Sequence, residues 1–176
     1  MTEPAYTFEG FLQGSRLQPV TIAELCHAAG WRDLYLVMAV AVCLAESAGY
    51  TRAHNRKTRA ATGELVSMDI GLFQIKVDAG QVGGAFAESL WLPATNVAYA
   101  KRMFNGRGWQ PWYAWVDGIA QDPSRAGKYL QRAAWAVMNL YLARNGASQI
   151  PSPWGRLGTW RLDRWIKRGA LVTRRP

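Results

Sequence analysis

Glu46 is the residue whose type and position most clearly suggest chemistry. It directly follows the apolar residues 42–45, at the end of the most apolar stretch of the chain. A carboxyl group in a partly dry cleft has a raised pKa because burial disfavours its charged form, and the negative end of a helix acts in the same direction. Such a group could serve as a general acid near neutral pH. The alternative, which position alone favours, is a solvated glutamate at a helix end.

The element that must position Glu46 is a helix predicted over about residues 31–47. Apolar residues fill nearly every position of the twelve-residue run 34–45, and a helix that is apolar all round is a central one. The run is too short to span a bilayer. Gly49 is a natural C-terminal stop. A shorter helix is expected before it, with Thr21 as a plausible N-cap and Gly30 as its stop.

Around this helix, the pattern predicts an irregular lead-in over residues 1–20 and a polar loop or small hairpin over 50–67. Pro93 should open a helix over 94–104, and Pro123 a strong helix to about Asn145. A last, short amphipathic helix is expected over 159–169. The fold class is therefore mainly α, with at most a small β element in the middle.

Charge is concentrated at one end of the chain. The 176 residues carry a net charge of +9, and +6 of it lies in residues 156–176. A basic protein favours polyanionic partners such as nucleic acid, an anionic membrane or an acidic wall polymer. The main body is close to balanced and has no nucleic-acid motif, so we expect no nucleic-acid partner for it.

The two cysteines, Cys26 and Cys43, form neither a disulfide framework nor a zinc site, since number, spacing and partners do not fit. Both fall in apolar helical stretches, which favours buried thiols over a bridge. No metal or organic cofactor is expected.

The pair Glu46-Ser47, followed by Gly71-Leu72-Phe73-Gln74-Ile75, resembles the lysozyme and lytic transglycosylase superfamily. In that superfamily, a helix ends in a Glu-Ser pair, and a Gly-Leu-aromatic-Gln-Ile type segment follows across the cleft. Residues 112–115 are also similar to a Trp-rich segment of c-type lysozymes. Further residues match the steps that follow the Glu-Ser pair in c-type enzymes: Thr51, Ala53, Asn55, Arg56 and Thr58.

The resemblance implies that Glu46 is the general acid and that Asp69 is the second carboxylate. Asp69 would be a nucleophile or electrostatic stabiliser if the two groups are about 5 Å apart, and a general base beyond roughly 6.5 Å. If Asp69 points away, the 6-hydroxyl of the substrate could instead close an anhydro ring, which is transglycosylation. A purely structural alternative is that Asp69 bonds the loop amides around Gly71.

The resemblance also supplies candidate substrate-binding residues. Asn55 and Gln74 could hydrogen-bond sugars or order the loop, and Trp112 is the candidate apolar wall beside Glu46. Tyr99 is expected to reach the cleft, as a Tyr does in transglycosylases. Tyr113, with Trp91 and Trp109, could stack on sugar rings or pack in the core. His54 is expected in an exposed loop, and Glu64, an alternative second carboxylate, at a hairpin tip.

Two departures from c-type lysozymes are visible. Their disulfides are absent, and Lys76 stands where they have Asn after Gln-Ile. Residues 92–100 and 108–112 look more like the transglycosylase-type domains of phages of actinobacteria.

The expected protein is thus of the α+β lysozyme-like class, a helical domain with a small β-hairpin or loop region beside the cleft. Residues 1–20 would be the lead-in, 21–148 the catalytic domain and 149–176 a basic, Trp-bearing segment. The expected activity is cleavage of β-1,4 bonds between N-acetylmuramic acid and N-acetylglucosamine in the glycan strands of peptidoglycan.

The resemblance and the lack of a signal-peptide pattern at the N-terminus suggest a phage product. It would be made in the host cytoplasm and carried in the virion tail to the host cell wall. Residues 149–176 would then dock on other tail proteins. The alternatives for this segment are a helix packed on the domain with a solvated basic face, and binding to the anionic wall or a membrane. The alternatives are a free endolysin, a non-catalytic structural or glycan-binding tail component, and a membrane or nucleic-acid binder acting through the basic segment.

Overall fold

The computed structural model of the protein describes residues 5–112 and 123–145. The helices are α1 (Pro19–Ala28), α2 (Asp33–Ser47), α3 (Ala85–Ser89), α4 (Pro93–Arg107) and α5 (Pro123–Asn145). The strands are β1 (Tyr6–Phe11), β2 (His54–Arg59), β3 (Leu65–Ile70) and β4 (Ile75–Asp78). Single 3-10 turns span Ala79–Gln81 and Gln110–Trp112.

Helix α2 is the centre of the helical part. Every residue from Leu36 to Leu44 is buried, which agrees with the all-round apolar sequence. Helices α1, α2 and α5 pack against one another. Within the described ranges, no helix has the length and apolar character needed to cross a membrane.

The four strands form one antiparallel sheet in the order β1-β2-β3-β4. Side chains alternate between the two faces of a sheet. One face contributes Ile70, Ile75 and Val77 to the hydrophobic core. The other face carries the row Gly10, Asn55, Asp69 and Lys76, whose members lie opposite one another on successive strands.

The predicted class, α+β and lysozyme-like, is confirmed. The helices expected over 31–47, from Pro93 and from Pro123 are present with small shifts of their ends. The hairpin expected within 50–67 is the β2–β3 pair.

The prediction of an irregular lead-in over residues 1–20 is wrong in two places. Residues 6–11 form β1, because their backbone groups pair with β2 far along the chain, which a local pattern does not reveal. Helix α1 begins at Pro19 with Gln18 as its N-cap, so Thr21 lies inside the helix; the fixed φ of proline suits the first helical position. The short helix expected over 159–169 and the segment 149–176 lie outside the described residues.

Candidate active site

Glu46 occupies the last turn of α2, and its neighbour Ser47 fixes that helix end. Ser47 is fully buried. Its hydroxyl donates to the carbonyl oxygen of Cys43 at 2.8 Å and accepts from the amide of Gly49 at 3.2 Å. The next residue, Ala48, is left-handed with a φ of 51° and ends the helix. The Glu-Ser pair therefore combines a partly buried carboxyl group with a serine that holds it in place.

The environment of Glu46 suits a proton donor. Burial, and secondly the charge of Asp69, raise the pKa of Glu46 from 4.5 to about 7. At neutral pH a large fraction of the carboxyl groups is therefore protonated, as a general acid requires. This is the behaviour expected of a carboxyl group in a partly dry cleft.

Asp69 lies on the open face of β3 in a different electrostatic setting. Burial raises its pKa, but the ammonium groups of Lys76 and Lys57 lower it. Lys76 lies directly opposite Asp69 on β4, and Lys57 is diagonal to it on β2. The lysine that replaces the c-type asparagine thus favours the charged form of the second carboxylate.

The two carboxyl groups interact, because the charge of Asp69 contributes to the pKa of Glu46. The alternative role for Asp69, bonding loop amides around Gly71, is not observed. The amide of Gly71 donates to Ala53, that of Phe73 to Asn96 and that of Gln74 to Gly71. A neutral acid beside an anion is the combination that glycosidic bond cleavage uses.

Asn96 is a positioning residue that the sequence analysis missed. It is fully buried on α4, its Oδ1 accepts from the amide of Phe73 at 2.9 Å, and its Nδ2 donates to the carbonyl oxygens of Ile70 at 2.9 Å and Leu90 at 3.0 Å. These bonds fix the β3–β4 turn directly after Asp69. An amide on the same buried side of a helix as Val97 and Ala100 is the signal that could have revealed it.

Gly71 begins the turn that Asn96 holds. It has a φ of +74°, and a Cβ atom there would lie 2.8 Å from the carbonyl oxygen of Leu90 and would also collide with the Asn96 amide. Only glycine accepts both this backbone conformation and this close approach. Backbone conformation and packing therefore require glycine at the first position of the Gly-Leu-Phe-Gln motif.

Asn55 and Gln74 order the loop. Nε2 of Gln74 donates to the carbonyl oxygens of Ala53 at 3.0 Å and Gly71 at 2.8 Å, and its Oε1 accepts from Nδ2 of Asn55 at 3.1 Å. Of the two roles predicted for this pair, loop ordering is the one observed. Direct contact of Asn55 or Gln74 with a sugar stays a prediction.

Trp112 and Trp109 belong to the buried aromatic core, and each is 4% exposed. The Trp112 indole donates to the carbonyl oxygen of Phe73 at 2.9 Å and packs edge-on against the Phe73 and Trp109 rings. Neither tryptophan presents an open face on which a sugar could stack. Trp112 instead anchors the same turn as Asn96, and its predicted contact with Glu46 stays a prediction.

The structure places two of the next three candidates, Tyr99 and His54, outside the buried aromatic core. Tyr99 is half-buried on α4 with its ring 5.1 Å from that of Phe86, so its reach into the cleft stays a prediction. His54 is not in a loop: it lies in β2 and stacks on Phe11 at 4.8 Å. Tyr113 lies outside the described residues.

Two further candidates are Glu64, the alternative second carboxylate, and Trp91, a candidate for stacking on a sugar. Glu64 is exposed at the hairpin tip and pairs with Arg59 at 3.0 Å, so it takes no part in this site. Trp91 is half-buried, with the His54 ring perpendicular to it at 5.7 Å and the Arg52 guanidinium over it at 5.3 Å. Its contact with a sugar stays a prediction.

Both cysteines are free and buried, as the sequence favoured. Burial raises the pKa of the Cys43 thiol to about 12 and that of Cys26 well above its usual value, so both thiols are inert. Among the residues that the structure describes, no cluster of three or more His, Cys, Asp or Glu could hold a metal ion.

A family model described as a lysozyme-like domain matches residues 23–114, just over half of the chain. The protein belongs to this lysozyme-like family. Comparisons with curated proteins and with solved structures give no match. The matched part of the lysozyme-like domain includes Glu46, Asp69 and the turn that Asn96 holds, whereas β1 and α5 lie outside it. Family membership indicates an enzyme of the lysozyme or transglycosylase type that acts on peptidoglycan.

Proposed function

We propose that this protein is a glycosidase that hydrolyses the β-1,4 bond between N-acetylmuramic acid and N-acetylglucosamine in peptidoglycan. The observation that carries the proposal is the partly buried Glu46 carboxyl group in the last turn of α2, whose pKa is raised to about 7 by burial and by the charge of Asp69. The lysozyme-like family supplies the substrate class. No cofactor is required, because an acid and an anion suffice for the chemistry.

In the proposed reaction, Glu46 gives its proton to the glycosidic oxygen as the bond between that oxygen and the anomeric carbon breaks. The anomeric carbon becomes electron-poor, and the Asp69 carboxylate stabilises its positive charge. A water molecule then adds its oxygen to the anomeric carbon, and its proton returns to Glu46. The products are a free reducing end and a new 4-hydroxyl group.

The charges around each carboxyl group support this division of roles. Glu46 has burial and a neighbouring negative charge, which both favour its protonated form. Burial raises the pKa of Asp69 as well, but two lysines on the same sheet face act against this and favour its ionised form. The lysines are the difference between the two environments, and such a difference is expected of an acid and an anion in one site.

Digestion of purified sacculi by the wild-type protein in water labelled with ¹⁸O tests the reaction type. We expect soluble muropeptides whose new reducing ends carry one labelled oxygen, detected by mass spectrometry. Anhydro products without the label would contradict hydrolysis and would indicate transglycosylation, in which the substrate's own 6-hydroxyl closes the ring. Absence of any soluble fragment would contradict the enzymatic proposal and favour a non-catalytic glycan-binding component.

The proposed location is the tail of a phage particle, where the enzyme would open the host wall locally. The similarity of residues 92–100 and 108–112 to phage domains supports this, as does the basic segment that carries +6 in residues 156–176. Mass spectrometry of purified particles tests it. Detection of the chain in intact particles is expected, whereas its presence in the lysate alone would indicate a free endolysin.

A further inference from the structure

Strand β1 exposes aromatic side chains that the active site does not use. Phe8 is 69% exposed and Tyr6 is 39% exposed. Between them and the rest of the sheet lies Lys57, whose Nζ is 3.9 Å from the centre of the Tyr6 ring and 5.6 Å from that of Phe8. We call Tyr6, Phe8 and Lys57 the β1 patch. An exposed group of aromatic side chains on a small domain often marks a binding surface.

The β1 patch lies on the same sheet face as Asp69. Phe8 is directly opposite Lys57, Lys57 is opposite Ser67, and Ser67 is two residues from Asp69 on β3. Side chains two residues apart in a strand share a face. Two strand spacings and two residues separate Phe8 from Asp69, which amounts to about 12 Å between their Cα atoms. The patch therefore continues the surface that carries the candidate active site.

The backbone of β1 is fitted to this surface at Gly10. A Cβ atom on Gly10 would lie 2.5 Å from Oδ1 of Asn55, so the Asn55 side chain extends over β1 at this point. Asn55 lies opposite Asp69 and donates to Gln74. The strand that carries the patch is thus packed directly onto the residues that order the active-site loop.

The chemistry of the patch suits a sugar with an acidic substituent. The face of an aromatic ring is electron-rich and attracts the weakly positive C–H groups on one face of a pyranose ring. The Lys57 ammonium is close enough to Asp69 to lower the pKa of that carboxyl group, and it rests on the Tyr6 ring as a cation–π pair. A positive group beside a stacking ring matches a carboxylate-bearing sugar.

We propose that the β1 patch is a distal subsite that binds an N-acetylmuramic acid residue of the glycan strand, with its sugar ring on Phe8 and its lactyl or peptide carboxylate on Lys57. The inference rests on the proposed function for its substrate. It concerns a strand that lies N-terminal to the residues matched by the lysozyme-like family. The subsite would give the enzyme a preference for muramic acid-containing strands over neutral chitin-type glycans.

Binding to the full-length Glu46→Gln protein tests the subsite without cleavage. The probes are a hexasaccharide prepared from peptidoglycan and chitohexaose, which is neutral. We expect Phe8→Ala to weaken binding of both hexasaccharides about tenfold. Lys57→Gln should weaken binding of the peptidoglycan hexasaccharide alone and remove its salt dependence, and Lys57→Arg should restore both.

Two control variants separate the patch from general effects on the fold. Thr7→Ala changes the opposite face of the same strand, and Trp135→Ala removes an exposed aromatic side chain of α5. Both should bind like the parent protein. If Phe8→Ala also binds both glycans like the parent, the subsite is overturned, while cleavage by the wild type would leave the proposed function standing. If the wild type cleaves nothing and Phe8→Ala still weakens binding, the proposed reaction fails and the subsite remains as a glycan-binding surface.

Discussion

The charge of Asp69 on strand β3 raises the pKa of Glu46 at the end of helix α2. The central helix and the sheet therefore bring their carboxyl groups into one electrostatic unit. Each group has its own support: Ser47 fixes the helix end, and Asn96 fixes the turn that follows Asp69. The consequences of this arrangement can be measured one at a time.

The rate of peptidoglycan digestion should have a bell-shaped dependence on pH. The alkaline limb should fall near pH 7, because Glu46 loses its proton through a pKa of about 7. The acidic limb should reflect protonation of Asp69, whose pKa is raised by burial. Initial rates of fragment release between pH 4 and 9 provide the measurement. A rate that stays constant from pH 6 to 9 would contradict the role of Glu46 as acid.

Asp69→Asn should lower kcat/KM by about 100-fold or more, because the positive charge at the anomeric carbon loses its partner. The same substitution should move the alkaline limb to lower pH, since it removes the charge that helps to raise the pKa of Glu46. Glu24→Gln is the control, because Glu24 is exposed on helix α1, outside the sheet. An alkaline limb that does not move in Asp69→Asn would show that the two groups are not coupled.

Glu46→Gln should make the protein more stable at high pH while abolishing its activity. The unfolded chain ionises Glu46 near pH 4.5, but the folded protein does so only near pH 7. Stability from this group is therefore fully present below pH 4.5 and is lost as the pH rises to about 7. At pH 8.5 we expect Glu46→Gln to be more stable than the wild type by about 2 kcal/mol, after allowance for partial exposure.

Urea unfolding of both proteins at pH 4 and pH 8.5 measures this difference. At pH 4 the two proteins should have nearly equal free energies of unfolding, because Glu46 is then protonated in both states. A gain of the same size at both pH values would indicate a packing effect of glutamine and would contradict the electrostatic origin.

Asn96→Ala should lower the free energy of unfolding by about 3 kcal/mol, because three buried hydrogen bonds are lost and their partners stay unpaired. It should also reduce the digestion rate by displacing the turn beside Asp69. Asn105→Ala is the control, since Asn105 is exposed on the same helix and should change stability by less than about 0.5 kcal/mol. Equal effects of the two substitutions would contradict the structural role of Asn96.

The helices and the position of Glu46 at the end of an apolar helix were predictable from sequence because their signals are local. The apolar run 34–45 identifies the central helix, Pro93 and Pro123 mark two helix starts, and Glu46 stands out at an apolar helix end. Strand β1 was missed because its stability comes from pairing with β2, more than forty residues later in the chain.

The residues that hold the β3–β4 turn, Asn96 and Trp112, were not predicted in this role for a similar reason. The partners of Asn96 are the backbone groups of Ile70, Phe73 and Leu90, which no spacing rule connects to a residue on α4. The burial of Trp112 depends on the rings of Phe73 and Trp109. A motif can name the residues of a cleft, but which of them face the substrate and which hold the turn depends on tertiary packing.

The most direct test of the central claim is the initial rate of fragment release from purified peptidoglycan by three proteins: the wild type, Glu46→Gln and Glu24→Gln. Glu24 is an exposed glutamate of helix α1 and serves as the matched control. Glu46 as the general acid predicts equal rates for the wild type and Glu24→Gln, and a loss of at least about 1000-fold for Glu46→Gln. Undiminished release by Glu46→Gln would contradict it.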